Sequence, residues 1–417
     1  MKLHLIIVWL LIFASLSFGQ KPSASPTLVQ PASPEKTRTN AFGSSLEKYK
    51  NKEQRNFQNK QKRDESDDDE TIRVKTDLVV NDVLVTDQNG KMISDLKKDD
   101  FIVMENREPQ KIEVFAHGEK AAIPRSIVLI IDNVALDFPY LNKSIQAAKL
   151  LIDQLNPNDK MAVVTADVKL LVDFTHDKTL LKNALDSLTV KTVKKKDGGG
   201  FEFETLLAVL NEMFSAENKQ PIIIFQGNAN EIVRIKTGDD TLWQFYTSVT
   251  KFKVERYLEF RDIEEAVEKS RATIYSVVTG LRILGVPKKE QLERARKSLE
   301  YISELTRERI SRIMMRTESR RTTLSREFQE MEVKRLTAAQ TAMFRVAELS
   351  GGFTSFLEKP EDAENVYSDI FKQISNRYVI GYYPMNQTQD RKRREVKIEV
   401  RNHPEYVVTG RKAYFPQ

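Results

Sequence analysis

An α/β fold is what this sequence predicts: a mainly parallel sheet with helices on both faces, and antiparallel strands at either end. Three observations carry that expectation. Residues 126–131 (SIVLII), 221–225 (PIIIF) and 273–278 (TIYSVV) are short apolar runs rich in β-branched residues, the pattern of strands buried on both faces. Segments of helical spacing alternate with them, which is how a parallel sheet is covered. Residues 71–117 and 377–417 instead alternate apolar and polar at period two, as half-buried antiparallel strands do.

Taken in order, residues 1–19 predict a cleavable signal peptide. Lys2 gives the positive start, residues 5–16 the apolar core, and Ser17 and Gly19 the small residues before a cut. An uncleaved anchor is the rival, but the run is short for a spanning helix, and no other segment is long and apolar enough for one. The expected location is exported, either secreted or periplasmic. Residues 20–70 are poor in large apolar side chains and end in an acidic run at 64–70, so composition predicts a disordered linker. Residues 71–117 predict a β-unit of three or four strands, through Leu78, Val80, Val83 and Val85, then Phe101, Val103, Ile112 and Val114, with a tight turn at Asn89-Gly90. So few strands make a poor independent core. The expectation is therefore that residues 377–417 complete a β-sandwich with them, around an α/β domain at 122–376.

Within that domain the strand ending at Asp132 leads to a helix at 139–155, with Pro139 suited to its first turn. Residues 161–165 read as the next strand and 169–174 as its antiparallel partner. Helices follow at 177–188 and 203–214, and a closing helix at 363–374 after Gly351-Gly352 and a short strand. Residues 287–349 predict a long helical insertion, one helix or a hairpin. Leu292, Ala295, Leu299, Ile302 and Leu305 recur at helical spacing, and residues 307–335 carry nine basic and five acidic side chains. A solvated arm and a self-association element are the two expectations for it.

These segments, with TDLVVNDVLVTDQNGKMISDLKKDDFIVMENREPQKIEVF at 76–115, IVLIIDNVAL at 127–136 and SNRYVIGYYP at 375–384, resemble the exported VWFA-related domain family of bacterial proteins. The resemblance covers most of the chain from Thr71 onward. It implies a Rossmann-like von Willebrand factor type A domain, whose metal-binding members hold Mg²⁺ or Mn²⁺ at the top of the sheet. There the first loop supplies Asp-x-Ser-x-Ser, the second a Thr, and the third an Asp after a buried strand. Asp132 matches the first acid, but Val134 and Leu136 stand where both serines belong. Thr205 falls near the threonine, and Gln226 stands at the third-loop position. Hard cations take carboxylates, hydroxyls and water, so the resemblance implies a degenerate site with millimolar affinity or none. A rebuilt site, with Asp137, Glu202 or Glu204 swinging in and Asn133 adding an oxygen, is the alternative.

Composition removes other chemistries. The chain has 417 residues and no cysteine, which excludes disulfides, thiol catalysis, thiolate metal sites and lipoprotein attachment at a cysteine. With 66 basic against 60 acidic residues the net charge is +6, a balance that does not predict nucleic-acid binding. The four histidines have no zinc spacing, and no HExxH, GxSxG or phosphate-loop pattern appears. No catalytic residue and no cofactor are expected. The sequence thus predicts a non-enzymatic module that binds an unidentified protein, with Asn133, Val134, Leu136, Phe138 and Gln226 as contact residues. Its rivals are self-association through the helical segment and a metal-dependent adhesion domain with a rebuilt site.

Overall fold

The structure, a computed structural model, describes residues 41–50, 78–118, 123–133, 138–188, 201–215, 220–250, 256–310, 325–388 and 390–416. The expected signal peptide, the acidic run at 64–70, Val134, Leu136 and Asp137 lie outside them, as does the side chain of Phe138. No helix among the described residues is long and apolar enough to cross a membrane.

A short helical segment comes first, Ser44–Leu46 followed by α1 (Glu47–Lys50). Four strands follow: β1 (Val79–Thr86), β2 (Phe101–Glu105), β3 (Glu108–Gln110) and β4 (Ile112–His117). The α/β portion then runs β5 (Arg125–Ile131), α2 (Phe138–Gln154), β6 (Lys160–Thr165), β7 (Lys169–Thr175), α3 (Lys178–Asp186), α4 (Glu202–Glu212) and β8 (Gln220–Gly227). It continues through α5 (Thr241–Thr250), α6 (Phe260–Lys269), β9 (Thr273–Thr279), α7 (Lys288–Ile310), α8 (Arg326–Ser350), β10 (Thr354–Leu357) and α9 (Ala363–Ser375). The last strands are β11 (Tyr378–Tyr382), β12 (Arg394–Val400), β13 (Val407–Thr409) and β14 (Ala413–Tyr414).

The central sheet has the order β10-β9-β8-β5-β6-β7 and is parallel except for β7, which runs antiparallel to β6. Strands β5, β8 and β9 are buried at every position, as their unbroken apolar runs require. Alternate residues face opposite layers. Val128, Ile130, Ile223 and Phe225 pack with α4, α6 and α8, while Ile127, Leu129, Ile131 and Ile224 pack with α2, α3 and α9. Local chemistry sets the ends of helices. Asp177 caps α3 by accepting from the amides of Thr179 at 2.8 Å and Leu180 at 3.0 Å. Gly351 ends α8 at φ 80°, where a Cβ would also lie 2.3 Å from the Arg411 amide nitrogen.

The two strand-rich ends of the chain pair with each other. One sheet has the order β13-β1-β11-β4 and the other β14-β12-β2-β3. Their shared core includes Val83, Val85, Phe101, Val103, Tyr378, Ile380 and Tyr382. Within it the buried Glu105 carboxylate accepts from Tyr382 Oη at 3.0 Å, Tyr414 Oη at 2.7 Å and Arg394 Nη1 at 3.1 Å. All three partners come from residues after position 377, so the network ties β2 to β11, β12 and β14.

Buried polar contacts join this sandwich to the base of the α/β sheet. Gln220 Nε2 donates to Asp82 Oδ1 at 3.1 Å, and Arg377 donates to Asp82 O at 3.2 Å and to Gly351 O at 2.6 and 2.9 Å. Burial pushes the Asp82 carboxyl above its ordinary value, against the pull of Arg377. At the start of β5, Asp159 accepts from the Arg125 amide at 3.0 Å and from Arg125 Nε at 2.9 Å.

Two expectations need correction. Residues 20–70 are not linker throughout, because residues 41–50 form a docked helical segment with Leu46 and Tyr49 buried. Its few apolar side chains lie at helical spacing and find an apolar face, which average composition conceals. The helical segment at 287–349 is an adjacent pair, α7 and α8, and is only partly an insertion: Ala339, Ala342, Met343 and Val346 of α8 pack on the central sheet. Helices α5 and α6 occupy a stretch for which the sequence analysis offered no element.

Candidate functional site

The parallel strands β5 and β8 are neighbours, with Ile130 opposite Phe225, so their C-terminal ends bring Asp132, Asn133 and Gln226 to the same edge of the sheet. This is the edge at which open α/β sheets place ligands. None of the three is on the surface: Asp132 is 2 % exposed, Asn133 3 % and Gln226 0 %. Asn133 and Gln226, expected as contact residues, are therefore interior side chains in this structure.

Gln226 follows Phe225 and so turns to the opposite layer. There its Oε1 accepts from Tyr367 Oη at 2.5 Å, and burial pushes the Tyr367 hydroxyl up in pKa. Its Nε2 is buried with no hydrogen-bond partner among the described residues, and so is Asn133 Oδ1. The free group of Gln226 is thus a donor, which cannot ligate a cation.

Thr205 lies on α4 and is fully buried. Its hydroxyl accepts from the Val168 amide at 3.1 Å and donates to Thr165 O at 3.5 Å. It pins the β6–β7 turn. In this structure Thr205 and Gln226 spend their oxygens on partners inside the fold. Two of the five positions are apolar in sequence, Thr205 is engaged with backbone, and Gln226 with Tyr367. Among the described residues there is no group of three or more His, Asp or Glu side chains able to hold a metal.

Sequence reasoning named Glu202 only as a candidate for a rebuilt site and missed Glu231, and with them a pair of glutamates that clasp two loops. Glu202, at the first turn of α4, reaches the turn after β8, where its Oε1 accepts from the amides of Asn228 at 2.8 Å and Ala229 at 2.9 Å. Glu231, in the short 3₁₀ helix Asn230–Arg234, reaches back to accept from the amide of Phe203 at the start of α4. Each carboxylate caps donors that the other element leaves open. Gly227 makes this fit: a Cβ there would lie 2.2 Å from Glu202 Oε1. Burial, then Glu202, then Glu204 push the Glu231 carboxyl well above the ordinary glutamate value. Burial also raises Glu204. The only sequence signal was an acid before a helix, one of the commonest patterns there is.

The histidines are dispersed. His117 stacks on Tyr378 at 4.2 Å, His176 Nδ1 meets Asp159 O at 2.8 Å, and His403 stacks on Tyr406 at 4.5 Å.

No protein-family profile and no curated protein matches this chain. Solved structures do. Proximal thread matrix protein 1 from the mussel byssus matches at 10 % identity and TM-score 0.35, over 61 % of this chain and 48 % of its own, so this chain spans about half of that protein's length. The conserved hypothetical protein BatB from Bacteroides thetaiotaomicron matches at 12 % identity and TM-score 0.32, over 60 % of this chain and 98 % of its own. The vWF domain of the type V pili tip protein Mfa5 from Porphyromonas gingivalis matches at 11 % identity and TM-score 0.36, over 60 % of this chain and 95 % of its own. At such scores the fold rests on the strand order described above. That order defines a mainly parallel α/β sheet with helices on both faces, joined to a β-sandwich built from both flanks.

Proposed function

We propose that this chain is an exported, non-enzymatic binding module of adhesion or assembly type, whose metal position has been retired. The observation that carries this is the internal use of the candidate donors: Thr205 serves the β6–β7 turn, Gln226 serves Tyr367, and Glu202 serves the loop after β8. A type A domain arranged this way would hold its top loops by its own hydrogen bonds and bind a protein by shape and apolar contact. Val134, Leu136 and Phe138 supply that chemistry in sequence. Export rests on the signal-like residues 1–19.

Calorimetric titration of Mg²⁺ and Mn²⁺ into the mature protein, with Asp132→Ala as control, tests the retired site. No heat and no thermal shift in either protein is expected. Saturable binding that the substitution abolishes would restore a metal-dependent reading. Self-association through the helical pair has less support, since Ala295 and Leu299 of α7 are already buried and α7 lies against α8.

A further inference from the structure

The segment that docks ahead of the first strand is bound as a peptide ligand is bound. The Glu212 carboxylate, at the C-terminal end of α4, accepts from the amide of Gly43 at 2.9 Å and from that of Ser45 at 2.8 Å, one oxygen to each. Leu46 and Tyr49 are buried in the layer that holds α4, and Phe42 packs against it. Lys48 Nζ donates to Asn211 Oδ1 at 2.8 Å. Leu46 and Tyr49, three residues apart, lie on the helical segment, and Phe42 packs from the turn before it, ahead of the left-handed Gly43 at φ 92°. A cavity of about 420 Å³ continues past Tyr49, walled by Leu210, Phe214, Ala266 and Lys269, so the segment fills only part of the groove.

Twenty-seven residues, 51–77, separate this segment from the first described residue of the β-sandwich. A connector of that length reaches at most about 90 Å. It holds one aromatic residue, Phe57, and is otherwise mostly polar or charged. Nothing in the contacts themselves requires donor and acceptor to belong to one chain. A second copy presents the same groove and the same segment, so exchange conserves each of these contacts and changes only the effective concentration.

We propose that the groove along α4 is a docking site for residues 42–50 donated by a second copy of this chain, in exchange with the same segment of its own chain. Glu212 and the pockets for Leu46 and Tyr49 supply specificity. Donation links copies of the chain when they are crowded, whatever the top loops bind.

Two full-length variants test this. Leu46→Asp removes the anchor and leaves the groove, whereas Glu212→Lys spoils the groove and leaves the segment. Each alone should sediment as a single chain, and their equimolar mixture as a 1:1 complex. No complex from two variants with wild-type thermal transitions would overturn the proposal. A second measurement covers the case in which either fails to fold. A labelled peptide of residues 39–52 is titrated onto wild type and onto Leu46→Ala, whose own segment competes less well. Binding at least about tenfold tighter to Leu46→Ala is expected from the apolar burial that its tethered rival loses. Equal affinity for both chains, or none for Leu46→Ala, would refute it.

Discussion

Gly227 and the two glutamates beside it decide how the top of this domain is held. Adding a methyl at Gly227 drives it into Glu202 Oε1, displacing a buried carboxylate from two amides. Gly227→Ala should therefore cost about 3 kcal/mol, read as a lower urea midpoint with unchanged m-value. Glu231 gives a pH signature. Its folded pKa lies well above the ordinary 4.5, so between those values the native state binds more protons than the unfolded chain. Stability from this group then falls as pH rises through that window. Glu231→Gln stays neutral and keeps an oxygen for the Phe203 amide. Its urea midpoint should exceed that of wild type at pH 8, and the difference should shrink toward pH 4. Equal midpoints at pH 8 would mean that Glu231 pays no desolvation cost.

Among the elements, the buried strands were legible because β-branched runs have few other uses, and β7 because an apolar-rich run follows a three-residue turn. The closing helix α9 was legible from periodicity alone. The docked segment was not: three apolar anchors are diluted among polar neighbours, and only the face of α4 gives them meaning. Nor was the double duty of α8, since a helix with one apolar stripe looks the same lying on a sheet as lying on another helix. At the site, the sequence yielded the positions Asp132, Thr205 and Gln226 but not their partners, because Tyr367 and Val168 come from other elements. Glu105 illustrates the same limit in the sandwich, where its partners lie some 280–310 residues away. Glu105→Ala leaves Arg394 buried without its carboxylate and should cost about 3–5 kcal/mol, measured as a shift in thermal denaturation midpoint.

For the whole molecule, the pairing of β1 and β4 with β11, and of β2 with β12, makes the sandwich a structure that neither flank forms alone. A chain ended after Asn376 loses β11–β14 and with them Tyr378, Ile380 and Tyr382 from the shared core. In such a chain the amides of β1, β2 and β4 should exchange with solvent at the rate of unfolded peptide, while those of β5, β6 and β8 keep protection. Persistent protection in β1 would show that residues 78–118 fold without their partners. Such distant pairings also carry a large loop-closure cost, which makes the sandwich a slow step in folding.

This closure also sets a path for mechanical load. Tension applied between Leu78 and Pro416 enters through β1 and leaves through β14, strands of the sandwich that pair with β11, β13 and β12. The sandwich would bear the stretch while the α/β domain, with its loops, keeps its shape.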